Sequence, residues 1–212
     1  FLGSRSGGFW KTLDGGETWQ NTTDFLFASG VNTIAVSPDD PERILINVRN
    51  SYNGTTHGIY ESYDGGNHWS ITNFNPDNLN WGGLGTNNRI FKIMYHPSIP
   101  NLVFAGTSEG IFRSENNFES YSLSQTGSSW EFSQDYDYIE FHPTDPNIIY
   151  ASTFNQDSRI YVSYDKGVTF SQSGPLQTGI INGGNNSNIQ PAVSSACENC
   201  VFVGTSDGIW KS

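Results

Sequence analysis

Cysteine is nearly absent from this sequence and basic residues are scarce. Long apolar runs and helical apolar stripes are missing altogether. The two cysteines, Cys197 and Cys200, stand in Ala196-Cys197-Glu198-Asn199-Cys200. A zinc site would want two further ligands. The four histidines (His57, His68, His96 and His142) are far apart and show no ligand spacing, so no metal and no cofactor is expected. A thioredoxin-like pair wants a βαβ context and a helix start, and neither is here. A small disulfide stapling a turn is the favoured reading, with free thiols as the alternative. An oxidised pair would put the protein outside the cytoplasm. Ten Lys and Arg stand against 21 Asp and Glu, a formal net charge of −11. Such a surface repels phosphate backbones, so nucleic acid is not an expected partner. The simplest reading of the acidity is solubility. No apolar run approaches the roughly 20 residues that span a bilayer, and no signal peptide is visible. No window shows a convincing helical stripe of apolar residues at i, i+3, i+4 and i+7, which argues against amphipathic helices.

What is abundant points to short strands and tight turns. The chain is 14% aromatic and 35% hydrophobic, with 23 Gly and many Asn, Ser and Thr. That composition suits β structure punctuated by turns. A repeat organises it. Thr12-Leu13-Asp14-Gly15-Gly16-Glu17-Thr18-Trp19 recurs as Ser62-Tyr63-Asp64-Gly65-Gly66-Asn67-His68-Trp69 and as Ser163-Tyr164-Asp165-Lys166-Gly167-Val168-Thr169-Phe170. A worn copy reads Ser114-Glu115-Asn116-Asn117-Phe118-Glu119-Ser120-Tyr121, and Ser212 stands where a fifth would start. First positions 12, 62, 114, 163 and 212 give intervals of 50, 52, 49 and 49.

Each period predicts four strands. In the second, strand A is Thr33–Ser37, B is Ile44–Val48, C is Gly58–Ser62 and D is His68–Thr72. Turns of the form Pro38-Asp39-Asp40-Pro41, Pro97-Ser98-Ile99-Pro100 and Pro143-Thr144-Asp145-Pro146 join A to B, where proline fixes φ and removes a donor. The Asp-Gly turns join C to D: Gly supplies positive φ and Asp accepts backbone N–H bonds. The Trp or Phe that opens strand D is expected to bury apolar area near the blade edge. In the last period Cys197 and Cys200 align with the Pro-x-x-Pro turn, so a disulfide there would stiffen it in place of proline.

The motif Ser/Thr-x-Asp-x-Gly-x-Thr-Trp is the Asp-box, or BNR repeat. With the Pro-x-x-Pro turns and the hairpins Val103–Arg113 and Val201–Lys211, the chain resembles the secreted β-propellers of the sortilin/Vps10-like and xyloglucanase-like group from Leu2 to Ser212. The resemblance implies an all-β fold, a β-propeller of four-stranded antiparallel blades radially arranged. Blades are expected at about 31–73, 89–124 and 137–173, with partial blades at 1–23 and 189–212. The whole of 1–212 reads as one propeller segment, an arc of a larger ring, with a four-bladed ring as the lesser alternative. In the worn copy, Asn116 replaces Asp and Phe118 takes a Gly place, so that turn is expected to be looser. The structural Asp-box residues are Thr12, Asp14, Gly16 and Trp19, then Ser62, Asp64, Gly66 and Trp69, then Ser163, Asp165, Gly167 and Phe170.

Function is expected at the opposite ends of the blades, where loops are long. The D–A loops are Asn73–Asn88, Gln125–Asp137 and Ser173–Ile189; the B–C loops Arg49–His57 and Phe154–Arg159 are also extended. Tyr52, Trp81, Asn87, Asn88, Trp130 and Tyr136 are candidate ligand contacts, since aromatic faces with amide donors suit a sugar or peptide. Trp81 and Trp130 serve equally well as packing between loops. Glycoside hydrolysis needs two carboxylates about 5–9.5 Å apart. Asp135 and Asp137 are the best-placed acids, though two acids in one loop are commonly solvated charges. A sialidase needs an arginine cluster and a Tyr nucleophile, and the six arginines show no such context. Asn21, Asn53 and Asn185 fit a glycosylation pattern that an Asn-rich chain meets by chance. The first expectation is a secreted or cell-surface non-catalytic propeller module. Its partners would be other blades or domains of a longer chain and an extracellular protein or polysaccharide. The alternative is a polysaccharide-active glycoside hydrolase of xyloglucanase type.

Overall fold

A computed structural model of the chain describes residues 1–26, 30–78, 88–126, 135–154, 159–172, 189–205 and 208–211. The chain divides into two compact units, Phe1–Ala105 with Ser114–Tyr121, and Gly106–Arg113 with Ser122–Ser212. Among the described residues all regular structure is β.

The first unit holds two whole sheets. Strands β1 (Leu2–Ser4), β2 (Gly8–Lys11) and β3 (Gln20–Asn21) form a three-stranded antiparallel sheet. Strands β4 (Gly30–Val36), β5 (Ile44–Arg49), β6 (Thr56–Ser62) and β7 (Ser70–Ile71) follow in spatial order as a four-stranded antiparallel sheet. Strand A therefore starts three residues before its expected Thr33, and strand D shortens to two residues. Ile44, Leu45 and Ile46 of β5 are all fully buried. Burial of both faces explains why this strand reads as a continuous apolar run rather than an alternation. Phe9, Val31, Ile44, Ile46 and Val48 form one core, with Ile34, Tyr60 and Trp69 against it.

Strands β8 (Ile90–Tyr95), β9 (Val103–Thr107), β10 (Gly110–Ser114) and β11 (Ser122–Leu123) form the next four-stranded sheet, whose residues are shared between the two units. The second unit also holds β12 (Gln125–Thr126), β13 (Asp135–Phe141), β14 (Ile149–Phe154), β15 (Ile160–Ser163) and β16 (Thr169–Gln172). These make a sheet of five. The expected D–A loop contributes the fifth strand: β12 pairs in parallel with β16, Gln125 opposite Thr169. Finally β17 (Gln190–Ser194), β18 (Cys197–Thr205) and β19 (Gly208–Lys211) form a three-stranded sheet. Val201 and Val203 of β18 pack with Ile189 and with Ile160 of β15 in one buried cluster.

Cys197 and Cys200 are joined, Cα–Cα 5.3 Å. They do not bridge the A–B turn as the alignment suggested. Ser195 and Ala196 make that turn, and both cysteines belong to the start of β18, where Cys197 pairs with Ser194 beside a register shift. The staple therefore closes an irregularity in the strand, a place where ladder bonding alone holds the chain less well.

Candidate functional site

The two ends of the sheets are built on different principles. At the C–D end every copy of the Asp turn uses one wiring scheme. Ser62 Oγ donates to Asp64 Oδ1 (2.8 Å) and accepts from the Gly66 amide (2.8 Å). The His68 amide donates to Asp64 Oδ1 at 2.9 Å, and the His68 ring meets Asp64 Oδ2 at 2.6 Å. Ser163 and Asp165 repeat this with Gly167 and Thr169, and Thr12 and Asp14 repeat it with Gly16 and Thr18. These bonds favour the ionised acid. The Thr18 hydroxyl and amide, then Thr12, hold Asp14 well below the usual carboxylate range. The His68 amide and ring do the same for Asp64. At Asp165 burial works upward, and the bonds from Thr169 and Ser163 outweigh it.

The worn copy is not looser. Ser114 Oγ donates to Asn116 Oδ1 (3.1 Å) and accepts from the Phe118 amide (2.8 Å), and the Ser120 amide donates to Asn116 Oδ1 (2.9 Å). The turn needs one side-chain oxygen at this place, and an amide supplies it. Phe118 adopts the Gly conformation at φ 66° and is fully buried against Phe74, ring centroids 4.9 Å apart. The aromatic that opens strand D varies more: Phe170 is buried and Trp69 partly so, but Trp19 is 43% exposed.

At the opposite end of the first unit, the loop between β5 and β6 spends its polar side chains on its own backbone. Asn50 Oδ1 accepts from the Tyr52 amide (2.8 Å) and the Asn53 amide (3.2 Å), and Asn53 Oδ1 accepts from the Thr55 amide (3.0 Å). The Gly54 amide donates to the Asn50 carbonyl at 3.0 Å, with φ 77° at Gly54. The ring of Tyr52 is left 91% exposed on this braced loop. Beneath it Asn47 is fully buried: it donates to Asn32 Oδ1 (2.6 Å) and accepts from the Thr56 hydroxyl (2.5 Å). The Thr56 amide donates to the Asn88 carbonyl at 2.8 Å. Asn88 thus joins this site through its backbone.

Three arginines far apart in the sequence gather at this end. Arg5 Nε donates to the Ser51 carbonyl at 3.2 Å. Arg49 is flanked by Arg5 and Arg89; burial, then Arg5, then Arg89 depress its pKa. The repeat carried the signal. Leu2 pairs with Trp10 and Ile46 with Tyr60, and both Trp10 and Tyr60 lie two residues before an Asp turn. Arg5, just past β1, and Arg49, the last residue of β5, therefore stand at the same register position in successive sheets.

In the second unit Asp135 and Asp137 lie on strand β13, not in a loop. The ladder pairs Tyr136 with Thr153 and Tyr138 with Ser152, leaving Asp137 as the extra residue of a bulge, a device that re-aims a side chain. Asp137 is half-buried, and burial with the Asp135 charge pushes its carboxyl up to about 6. Glu109 is raised by burial and by Asp135; sequence reasoning missed it, because it sits in a two-residue hairpin turn far from Asp135 along the chain. Tyr136 is corrected: it is fully buried against Tyr161, centroids 5.6 Å apart, and offers no face to a ligand. Trp81, Asn87 and Trp130 lie outside the described residues, as does Asn185. Among the described residues no group of three or more potential metal ligands occurs, and no helix is long and apolar enough to cross a membrane. An open apolar hollow of about 460 Å³ between Leu2, Ser4, Gly7, Trp10 and Trp19 carries no titratable group.

No protein-family model matches the sequence, and no curated protein matches it. Solved structures do. The GH74 enzyme of Niastella koreensis superposes with a TM-score of 0.68 at 20% identity, over 98% of this chain and 33% of that one. The extracellular domain of a hybrid two-component system from B. thetaiotaomicron gives 0.60 at 16% identity, over 91% of this chain and 22% of that one. YCF48 from Cyanidioschyzon merolae gives 0.55 at 13% identity, over 95% and 62%. The chain has a β-propeller fold and spans about a third or less of the first two.

Proposed function

We propose that this chain is part of a non-catalytic, extracellular propeller of the Asp-box type that binds a glycan or a protein with the loop end of its blades. The braced loop that holds Tyr52 carries the reading. A large aromatic ring kept in water by a hydrogen-bonded loop has no packing role in the first unit. A rigid exposed ring is what a sugar face or a peptide needs. The Cys197–Cys200 bond and the extracellular setting named for one structural neighbour support the location. The four turns wired alike support Asp-box membership.

A hydrolase reading draws on one observation, the raised carboxyl of Asp137, which suits a general acid. One experiment weighs both. The chain is passed over immobilised β-glucans and extracellular-matrix proteins, and bound protein and released sugar are measured. Retention without released oligosaccharide, lost in Tyr52→Ala at unchanged melting temperature, is the expected result. Oligosaccharide release abolished by Asp137→Asn would replace the binding module with an enzyme. Retention indifferent to Tyr52→Ala would remove the loop end as the binding surface.

A further inference from the structure

Three arginines gather at the loop end of the first unit in a chain of net charge −11. Arg5 and Arg49 flank Gly30: a Cβ there would stand 2.6 Å from the Arg5 carbonyl and 2.9 Å from that of Arg49. Only a glycine lets the two backbones approach so closely. A Cβ on Gly54 would lie 3.6 Å from Arg49 Nη1 and 3.7 Å from Arg89 Nε, so these two guanidinium groups converge on one small volume. Arg49 Nε is buried and has no hydrogen bond among the described residues. Both atoms lie within 3.7 Å of that one point, so the two charges stand inside the ~8 Å screening length of physiological salt and repel. Nothing in strand pairing requires arginine here, since Phe154 takes the equivalent place in β14, opposite the residues that follow the same register.

We infer that Arg5, Arg49 and Arg89 form an oxyanion subsite that takes the carboxylate of a uronate unit in an acidic polysaccharide, beside the ring of Tyr52. The inference rests on the proposal that this end binds a ligand, and it names that ligand's chemistry. A guanidinium fork matches a planar carboxylate through paired N–H bonds. A bound anion also offsets the repulsion that Arg5 and Arg89 exert on Arg49. A chain this acidic repels polyanions at long range, so retention of one must come from a local site. Tyr52, the chain neighbour of the Ser51 whose carbonyl Arg5 holds, favours a sugar over a bare anion. Sulfate esters of sugars share the oxyanion chemistry and need their own arm in the test.

The test is calorimetric titration of the whole chain with oligogalacturonate, with its methyl ester, and with a sulfated oligosaccharide. The acid is expected to bind, more weakly as salt rises, and the methyl ester about tenfold more weakly or worse. Arg5→Gln, at an exposed position, and Arg49→Gln are each expected to weaken the acid by about tenfold. Arg5→Gln guards against a folding artefact in Arg49→Gln and is expected to leave the melting temperature unchanged. Binding of the sulfated probe alone would keep the oxyanion subsite and discard the uronate. Equal affinity for acid and ester, no effect of either substitution, or no binding of any charged probe would overturn the inference. Ester binding that Tyr52→Ala removes would overturn it while leaving the loop-end surface standing.

Discussion

The turn ends and the loop ends of these sheets treat charge in opposite ways. At the turn ends Asp14, Asp64 and Asp165 all have their ionised form favoured, because amide and hydroxyl donors converge on each carboxylate. At the loop ends Asp137 and Glu109 have theirs disfavoured by burial, and Arg49 is held between two other cations. A carboxylate already bonded by amides and side chains of its own turn gains less from a ligand. A charge kept partly desolvated and facing its like is where a partner of opposite charge gains most. The most repetitive part of the chain is therefore the part whose charges are already met within the turn.

The largest expected effect comes from breaking a turn end. Phe118 combines full burial with φ 66°. Phe118→Ala is expected to cost about 3–5 kcal/mol through the cavity left beside Phe74. Phe118→Gly leaves the same cavity but removes the left-handed strain, worth about 1 kcal/mol. Urea denaturation should rank wild type above Gly and Gly above Ala. An Ala variant as stable as the Gly variant would show that φ does not matter there.

The same contrast explains what the sequence could tell. The turn ends were legible because their chemistry is local: Ser or Thr, then Asp, then Gly, each bonding within four residues. Strand order followed, since the turns punctuate it. The parallel pairing of β12 was not legible, because two residues carry no pattern of their own. Tyr136 looked like a loop aromatic and is core, because strand β13 begins two residues before the expected boundary. Arg5, Arg49 and Arg89 escaped notice because each stands alone along the chain. Only the pairings of Leu2 with Trp10 and Ile46 with Tyr60 bring the first two into one register.

A middle-sized effect tests the loop-end side. The Asp137 carboxyl, at about 6 when folded, titrates near 3.9 in an unfolded chain. Between those values the folded state binds more protons, so stability falls as pH rises from about 4 to about 6. Asp137→Asn is expected to flatten that slope and to be more stable than wild type at pH 7. The difference is about 1 kcal/mol once solvent screening of this half-exposed group is allowed for. The turn carboxylates act with the opposite sign and in a separate window: their depressed pKa values give stability that is lost as pH falls below about 4. Melting temperatures from pH 3 to 8 separate the two. A wild type whose stability does not fall between pH 4 and 6 would remove desolvation of Asp137 from the account.

The smallest effect asks whether the worn turn differs in charge alone. Asn116 already fills the oxygen position, but its other atom is Nδ2, which donates to Ser120 Oγ at 3.0 Å. In Asn116→Asp that atom becomes an oxygen, and the Ser120 hydroxyl can rotate to donate to it, as Thr169 does to Asp165 at 2.6 Å. One neutral hydrogen bond is exchanged for one charge-assisted bond at an exposed site, so the gain is at most about 0.5 kcal/mol. It should appear above pH 4 and vanish below it, because the protonated acid no longer differs in charge from the amide. A gain that persists at pH 3 would have to come from shape instead. Wiring would then not be the common property of the four turns, and the contrast with the loop ends would rest on the arginines and Asp137 alone.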